Sequence, residues 1–255
     1  MPTPAKEKTR TVEDFAELLG ALNREGFDFA VIGGCAVGAY AHLRGEEVLT
    51  EDLDIIASAE VLDEILEWAP QHGLDVHKRP QARAIPVAVL TWKDMEINIL
   101  TSSHGLPSPE DTIQTARVFE LRSRAGTQVQ IADCFHLLAN KRNVNRPKDQ
   151  PHIEILRRFI EEEIVHAFEA EEDPRARLKP ARSLLRITKS RFLSAPLSAR
   201  LIPLARTAPD LRFLANTVAT AAQACAIEDK ARAIPGLAEE VGRIVQRAAA
   251  ERSSA

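Results

Sequence analysis

The chain has 255 residues, 45% of them apolar, with a formal net charge of −4, which suits one large globular domain or two moderate ones. It has no apolar run near the ~18 residues that a membrane-spanning helix needs, and its first ten residues lack the apolar segment of a secretory signal. The three cysteines are far apart and form no Cys-x-x-Cys pair, which argues against a disulfide framework or a cysteine zinc site. We therefore expect a cytoplasmic protein without membrane contact.

The N-terminal third alternates helical and strand patterns. Residues 12–24 carry Phe15, Leu18, Leu19 and Leu22 at helical spacing, behind Thr11 as a plausible N-cap. The elements that follow are predicted as a buried strand at 28–32, a small-residue helix at 35–43, a strand at 52–57, a helix at 61–72 and a strand at 74–78. This alternation predicts helices packed on a sheet.

The middle of the chain continues the sheet, and the end is helical. A hairpin is predicted from strands 84–91 and 95–100, then a helix starting at Ser108, short strands at 118–121 and 129–131, and helices at 132–144 and 152–168. Residues 169–177 form a charged, Pro-containing linker, and everything from about residue 183 has a helical pattern. We predict an α/β (α+β) domain over 1–170 and an α-helical domain over 171–255.

Two aspartates mark the strand at 52–57. Asp52 and Asp54 are two residues apart and therefore project from one face of the strand, while Leu53 and Ile55 project from the other. Two adjacent carboxylates beside an apolar strand are unfavourable unless a positive group joins them. Mg²⁺ is the candidate, because it prefers oxygen ligands and the company of phosphates.

Gly33 and Gly34 lie between the strand at 28–32 and the helix that follows it. A glycine pair at this position lets the backbone approach a phosphate closely. Gly-Gly alone marks only a tight turn, and Asp-x-Asp alone is common on loops. Their joint placement after two apolar strands predicts a nucleotidyl-transfer site.

A third carboxylate is expected, because two-metal phosphoryl chemistry needs ligands for both ions and a group that activates the attacking hydroxyl. Glu96 and Asn98 share one face of the strand at 95–100. Glu96 either supplies this carboxylate or is an ordinary surface charge of the hairpin. Asn98 can coordinate a metal but cannot act as a base.

A cationic segment follows further along the chain, with Lys141 on one predicted helix and Arg146-Pro-Lys148-Asp149 opening the next. A cation near a triphosphate would offset charge that develops in the transition state. Asp149 either caps the following helix or holds Lys141 in place. The alternative is an ordinary capped helix–turn–helix.

These motifs together resemble the nucleotidyltransferase superfamily, with its polymerase-β-like palm, and most closely its AbiEii/MenT-like and related uncharacterised branches. The resemblance covers about residues 12–165. Its elements are Gly33-Gly34-x-Ala36, Thr50-x-Asp52-x-Asp54, the strand ending Glu96-Ile-Asn-Ile-Leu100, and Asp133 with Lys141 and Arg146-x-Lys148-Asp149.

The resemblance implies a mixed sheet flanked by helices, an α-helical C-terminal region, Mg²⁺, and an NTP that donates a nucleotide to a hydroxyl. Asp52, Asp54 and Glu96 would hold metal, and these residues with Lys141 would form the catalytic set. The nucleotide would be contacted by Gly33, Gly34, Thr50, Lys141 and Asp149. Acceptors in this superfamily include RNA, proteins and small molecules, and some members are toxins that modify tRNA and pair with an antitoxin protein.

The chain departs from the family pattern at two positions. Val48 stands where many relatives have Arg, leaving Arg44 as the nearest substitute, and Asn98 aligns with the usual third aspartate. Three functions stay open: an active nucleotidyltransferase acting on RNA or tRNA, a weakened member that binds nucleotide or a protein partner, and a small-molecule adenylyltransferase of the antibiotic-modifying type.

Charge is distributed unevenly along the chain. Residues 1–172 hold 18 Lys and Arg against 30 Asp and Glu, whereas residues 173–213 hold 10 against 2. The basic block can contact a polyanion such as RNA. The alternatives are that it neutralises the acidic first half or that it is simply a solvated helix face.

Overall fold

The computed structural model describes residues 10–78, 87–123, 126–218 and 220–252. The chain separates into two compact units, Met1–Phe159 and Ile160–Ala255. The division lies inside helix α6, Gln150–Ala170, whose last residue is the domain boundary predicted from the sequence. No helix within the described residues is both long and apolar enough to cross a membrane.

The first unit contains a β-sheet, and helices lie between several of its strands in the sequence. The strands are β1 Phe29–Ile32, β2 Asp52–Ala57, β3 Leu74–Lys78, β4 Val87–Trp92, β5 Met95–Leu100, β6 Arg117–Glu120 and β7 Gln128–Ile131. The helices are α1 Ala16–Glu25, α2 Gly33–His42, α3 Ala59–Trp68, α4 Pro109–Gln114 and α5 Cys134–Val144. Short 3₁₀ turns occupy Val12–Phe15, Ala69–His72 and Pro147–Asp149.

The described strands form one sheet in the order β3-β4-β5-β2-β1-β7-β6. The sheet is mixed: β2 is antiparallel to β1 but parallel to β5, and β1 is parallel to β7. The predicted mixed sheet with flanking helices is therefore confirmed.

Strand β2 lies at the centre of the order and has the bounds predicted from the sequence. Leu53 and Ile55 are fully buried, while Asp52 and Asp54 on the other face are partly exposed. Burial of two apolar side chains on one face fixes the register, because a slip of one residue would place both carboxylates in the core. The core therefore orients the acidic pair.

The β4–β5 hairpin closes through Lys93 and Asp94, both at positive φ, as a two-residue turn requires. Strand β4 begins at Val87; the part of the predicted strand at 84–86 lies outside the described residues. Helix α2 begins at Gly33, two residues earlier than predicted, so the Gly-Gly pair forms the first turn of the helix.

The second unit is helical. After α6 come α7 Pro174–Thr188, α8 Ala195–Leu204, α9 Ala208–Thr217, α10 Ala221–Ala231 and α11 Leu237–Arg252. The predicted linker over 169–177 is shorter than expected, because Asp173 caps α7 and Pro174 takes the first helical position. The predicted α-helical C-terminal region is confirmed.

Candidate active site

The register between β2 and β5 brings the predicted acidic residues together. Asp52 pairs with Glu96 and Asp54 with Asn98 across the two parallel strands. The Asn98 amide Nδ2 donates to Asp54 Oδ1 at 3.1 Å, Asp52 Oδ2 at 3.3 Å and Glu96 Oε1 at 3.3 Å. One amide group therefore joins three carboxylates on one face of the sheet.

The electrostatics of this cluster are unfavourable to full ionisation. Burial, followed by the negative charge of Asp52, raises the pKa of Asp54 to about 6, although the Asn98 hydrogen bond and the charge of Lys141 act in the opposite direction. A largely buried acid held beside another acid has little positive compensation, and a bound cation would supply it.

Cys35 lies beneath this cluster rather than in it. Its thiol donates to the backbone carbonyl of Asp52 at 3.5 Å. Burial, and then the charges of Asp54 and Asp52, raise the pKa of the thiol well above its usual value. It is therefore a packing residue, because a reactive cysteine needs a stabilised thiolate.

The two glycines are required by the side chains opposite them. Gly33 has φ +68°, a conformation that favours glycine, and a Cβ there would overlap the Asp54 carboxylate. A Cβ on Gly34 would lie 2.6 Å from Thr50 Oγ1. Thr50 in turn donates to Asp52 Oδ1 at 3.1 Å. The Gly-Gly turn thus brings the first turn of α2 against the acidic strand.

Lys141 is buried and bound to Asp149, also buried, with 3.3 Å between Nζ and Oδ1. Arg146 completes the cluster, donating from Nε to Asp149 Oδ2 at 2.7 Å and from Nη2 to Oδ1 at 3.2 Å. Burial alone would raise the pKa of Asp149, but the Arg146 hydrogen bonds and the Lys141 charge outweigh it and lower the pKa. Asp149 therefore stays ionised and orients both cations.

The acidic and cationic groups face one open cavity of about 460 Å³. Its polar lining comprises Thr50, Glu51, Asp52, Asp54, Asn98, Lys141, Arg146, Lys148, Asp149 and His152, together with Gly34. A cavity with carboxylates on one wall and cations on the other can take a metal-bound polyphosphate.

Glu96 is placed less centrally than the other predicted residues. It shares the sheet face of Asp52 and contacts Asn98, but its side chain is exposed and outside the cavity lining. Within the described residues, no three His, Cys, Asp or Glu side chains are close enough together to hold a metal as they stand. Glu96 as third metal ligand stays a prediction.

The sequence assigned no individual role to four polar residues of this cavity, Glu51, Arg146, Lys148 and His152. Arg146 and Lys148 were part of the quoted motif, and their i, i+2 spacing around Pro147 was the available signal. His152 had no signal, since it lacks any ligand spacing. Burial, and then the charge of Lys141, lower the pKa of His152, so that it is neutral beside the cations. Arg44, the expected substitute for a missing arginine, lies 3.5 Å from Glu46 instead.

A larger cavity of about 770 Å³ lies between the end of α2 and the edge strand β6. Its lining combines apolar residues such as Leu43, Val118 and Leu121 with charged ones such as Glu46 and Arg117. It contains none of the predicted site residues. The smaller, polar cavity is the candidate active site, because it alone of the two combines the Asp52–Asp54 pair with a buried cation, Lys141.

Solved structures that resemble this chain include several nucleotidyltransferases. The lincosamide antibiotic adenylyltransferase LnuA bound to lincomycin is 12% identical, with 60% of this chain and 99% of that chain covered and a TM-score of 0.45. ANT(2″)-Ia in complex with adenylyl-2″-tobramycin is 16% identical, with 69% and 97% covered and a TM-score of 0.42. A nucleotidyltransferase-like protein from Paracoccidioides brasiliensis is 18% identical, with 82% and 94% covered and a TM-score of 0.32.

No family model and no curated protein sequence matches the chain. The structural likenesses are too distant to assign an activity. Fold class therefore follows from the sheet and helices of this chain, and function has to be argued from its candidate site.

Proposed function

We propose that the protein is a Mg²⁺-dependent nucleotidyltransferase that moves a nucleotide from an NTP to a hydroxyl acceptor. The observation that carries the proposal is the single cavity in which Asp52 and Asp54 face Lys141 and Arg146. The Thr-x-Asp-x-Asp and Gly-Gly motifs belong to the same cavity, through Thr50 and Gly34.

The residues present suit Mg²⁺. Asp52 and Asp54 supply hard oxygen donors, and the raised pKa of Asp54 indicates that negative charge at this point is undercompensated. When bound, the ion would neutralise phosphate oxygens and polarise the reacting phosphorus. Asp52 and Asp54 would hold it. Glu96, two strand positions from Asn98 and in contact with it, is the proposed third carboxylate.

The chain's own groups would act on the nucleotide as follows. Backbone N–H groups in the first turn of α2, at Gly33 and Gly34, would face phosphate oxygens. Lys141 and Arg146, both held by Asp149, would attract the triphosphate and offset charge as pyrophosphate leaves. The acceptor oxygen forms a bond to the α-phosphorus, the bond from that phosphorus to the bridging oxygen breaks, and the acceptor proton passes to a carboxylate of the cluster.

RNA or tRNA is the proposed acceptor, on the resemblance of the motifs to toxin-type nucleotidyltransferases. An antitoxin partner and a place in the AbiEii/MenT-like branch belong to the same proposal. Two alternatives give different outcomes in one experiment: a weakened protein binds nucleotide without transfer, and an antibiotic-modifying type labels a small hydroxylated acceptor instead of RNA.

The test is incubation of the full chain with each α-³²P-labelled NTP, Mg²⁺ and either total RNA or a panel of small hydroxylated acceptors. We expect label in RNA, abolished by EDTA and reduced at least ~10²-fold by Asp52→Asn, which removes one oxygen charge while keeping the shape of the side chain. Asp63→Asn, an exposed residue of α3, is the matched control. Binding of an NTP with no transfer to any acceptor would overturn the proposal in favour of the weakened form.

A further inference from the structure

Helix α7 carries a row of cations along one side. Its four helical members lie at intervals of four, three and four residues, which places them on one face of the helix, and a fifth cation follows directly at its C-terminal end. We call this set the α7 stripe: Arg175, Lys179, Arg182 and Arg186, with Lys189 at the C-cap. All five are exposed, and α7 contains no Asp or Glu.

Three other cations of the basic block have acidic side-chain partners. Arg177 is buried against Asp210, Arg200 forms a two-bond pair with Glu162, and Arg212 does the same with Glu240. Within the described part of the chain, no ion pair with Asp or Glu involves a member of the stripe. Arg182 has only a cation–π contact, 5.9 Å from the Phe213 ring centroid.

The opposite side of α7 is already used by the helical unit. Leu178, Ala181 and Leu184 are buried. The helix therefore has no free apolar face with which to enter a lipid bilayer. Its stripe can act only through charge, and a partner must supply a row of negative groups.

We propose that the α7 stripe binds the phosphodiester backbone of a single-stranded nucleic acid. The row from Arg175 to Lys189 is ~21 Å long at the rise of an α-helix. A stacked strand, at ~3.4 Å per nucleotide, places about six phosphates along that length. A straight single row of cations matches the phosphates of one strand. The stripe contains no aromatic side chain on which bases could stack, so we expect binding that does not depend on base sequence.

Acidic neighbours limit how many of these cations act. Exposed Glu171, Glu172 and Asp173 directly precede the helix and lie near Arg175 in the sequence. We therefore count four effective contacts, from Lys179 to Lys189. At ~0.7 released counterions per contact, the log–log slope of binding constant against salt is about −2.8, and affinity falls about 50-fold between 50 and 200 mM salt.

The experiment measures binding of a fluorescent 20-nucleotide oligo(U) by anisotropy, with the full chain in EDTA and without NTP. The double variant Lys179→Gln, Arg186→Gln removes two of the four contacts, so the slope should fall to about −1.4. The double variant Arg232→Gln, Arg243→Gln is the matched control. It removes the same charge at exposed arginines that are paired with Asp229 and Glu239, and should leave the slope unchanged.

Oligo(dT) of equal length should bind with a similar slope, because the phosphates are shared. If both double variants lower the slope equally, the proposal is wrong, because the overall charge of the protein then explains the binding. Absent binding at 50 mM salt, or equal binding to anionic lipid vesicles, would also overturn it. Binding is measured in EDTA and without NTP, so its outcome does not depend on nucleotide transfer, and this proposal and the proposed chemistry fail separately.

Discussion

The Asp54 carboxyl group is largely buried, lies near the charge of Asp52 and accepts a hydrogen bond from the Asn98 amide. Its raised pKa means that the folded protein holds a proton at pH values where the unfolded chain has already released it. Stability from this residue is therefore lost as pH rises from about 4 to about 6. This loss agrees with the role proposed for Asp54, which is to bind a cation rather than to stabilise the fold.

Replacing Asp54 by Asn should therefore stabilise the metal-free protein above pH 6. Ionisation of this group costs up to about 3 kcal/mol, since one pKa unit corresponds to about 1.36 kcal/mol, and the gain should vanish near pH 4. Urea unfolding in EDTA over this pH range measures it. An Asp54→Asn variant that is less stable than the wild type at pH 7 would contradict the assigned pKa.

Asp149 is buried and pairs with both Lys141 and Arg146, so its contribution to stability can be tested. Asp149→Ala leaves Lys141 buried without its partner, which should reduce the free energy of unfolding by about 3–5 kcal/mol. Lys141→Met should lower stability less, because Arg146 continues to pair with Asp149. Adding Lys141→Met to Asp149→Ala should restore part of the loss. A double variant no more stable than Asp149→Ala would show that the pair is not the cause.

At the scale of elements, the parallel pairing of β2 with β5 places the amide of Asn98 among the three carboxylates. The amide holds the carboxylates together when no cation is present. Its carbonyl oxygen, after a half-turn of the group, would be able to coordinate a metal. The same position would therefore suit both states, and an aspartate there would suit only the cation-bound one.

Asn98→Asp should consequently lower the melting temperature in EDTA and increase the stabilisation produced by Mg²⁺. The carboxylates repel one another until a divalent ion joins them. Differential scanning fluorimetry with and without Mg²⁺ gives both quantities. Asn98→Ala removes the amide without adding charge and is the control. It should lower the melting temperature in EDTA without increasing the stabilisation by Mg²⁺. If Glu96 is the third ligand, Glu96→Gln should reduce the Mg²⁺ shift.

Helices α7 and α9 are joined by a buried ion pair in the second unit. Arg177 Nη1 lies 2.6 Å from Asp210 Oδ2, and the side chains are 2% and 0% exposed. Asp210 Oδ2 also accepts from the backbone N–H of Arg206 and of Thr207, both at 2.9 Å. Part of the basic block is thus structural, and it uses acids of its own unit.

Arg177→Met should cost about 3–5 kcal/mol, because it leaves Asp210 buried and charged. Arg200→Met is the matched control. The Arg200–Glu162 pair is on the surface, and its loss should cost less than about 1 kcal/mol. Chemical denaturation of the full chain compares the two. Equal losses would show that burial does not set the strength of these pairs.

At the scale of the whole molecule, the change from acidic to basic sequence falls near the boundary between the two structural units. The acidic first unit contains the candidate site, and the helical second unit contains most of the basic block. Its cations include some held in buried or bidentate pairs and the exposed members of the α7 stripe. Net charge by itself could not distinguish them, because it does not show which cations are already paired.

The sequence by itself determined the strands that carry most of the candidate site residues. Strands β2, β3 and β5 have the predicted bounds, because alternating or continuous apolar patterns and nearby turns define such segments locally. The sequence also placed Asp52 and Asp54 on one face, since that depends only on strand period. The Gly-Gly turn followed from its position between a strand and a helix.

Only the tertiary structure decided which distant residues share the site. Parallel pairing of β2 with β5 is a long-range choice, and it made Asn98 the group that joins the carboxylates. The approach of α5 and the Pro147–Asp149 turn brought Lys141, Arg146 and His152 to the same cavity. Packing likewise decided which cations of the basic block form ion pairs and which stay exposed. These outcomes depend on contacts between segments far apart in the chain, which no local period or propensity encodes.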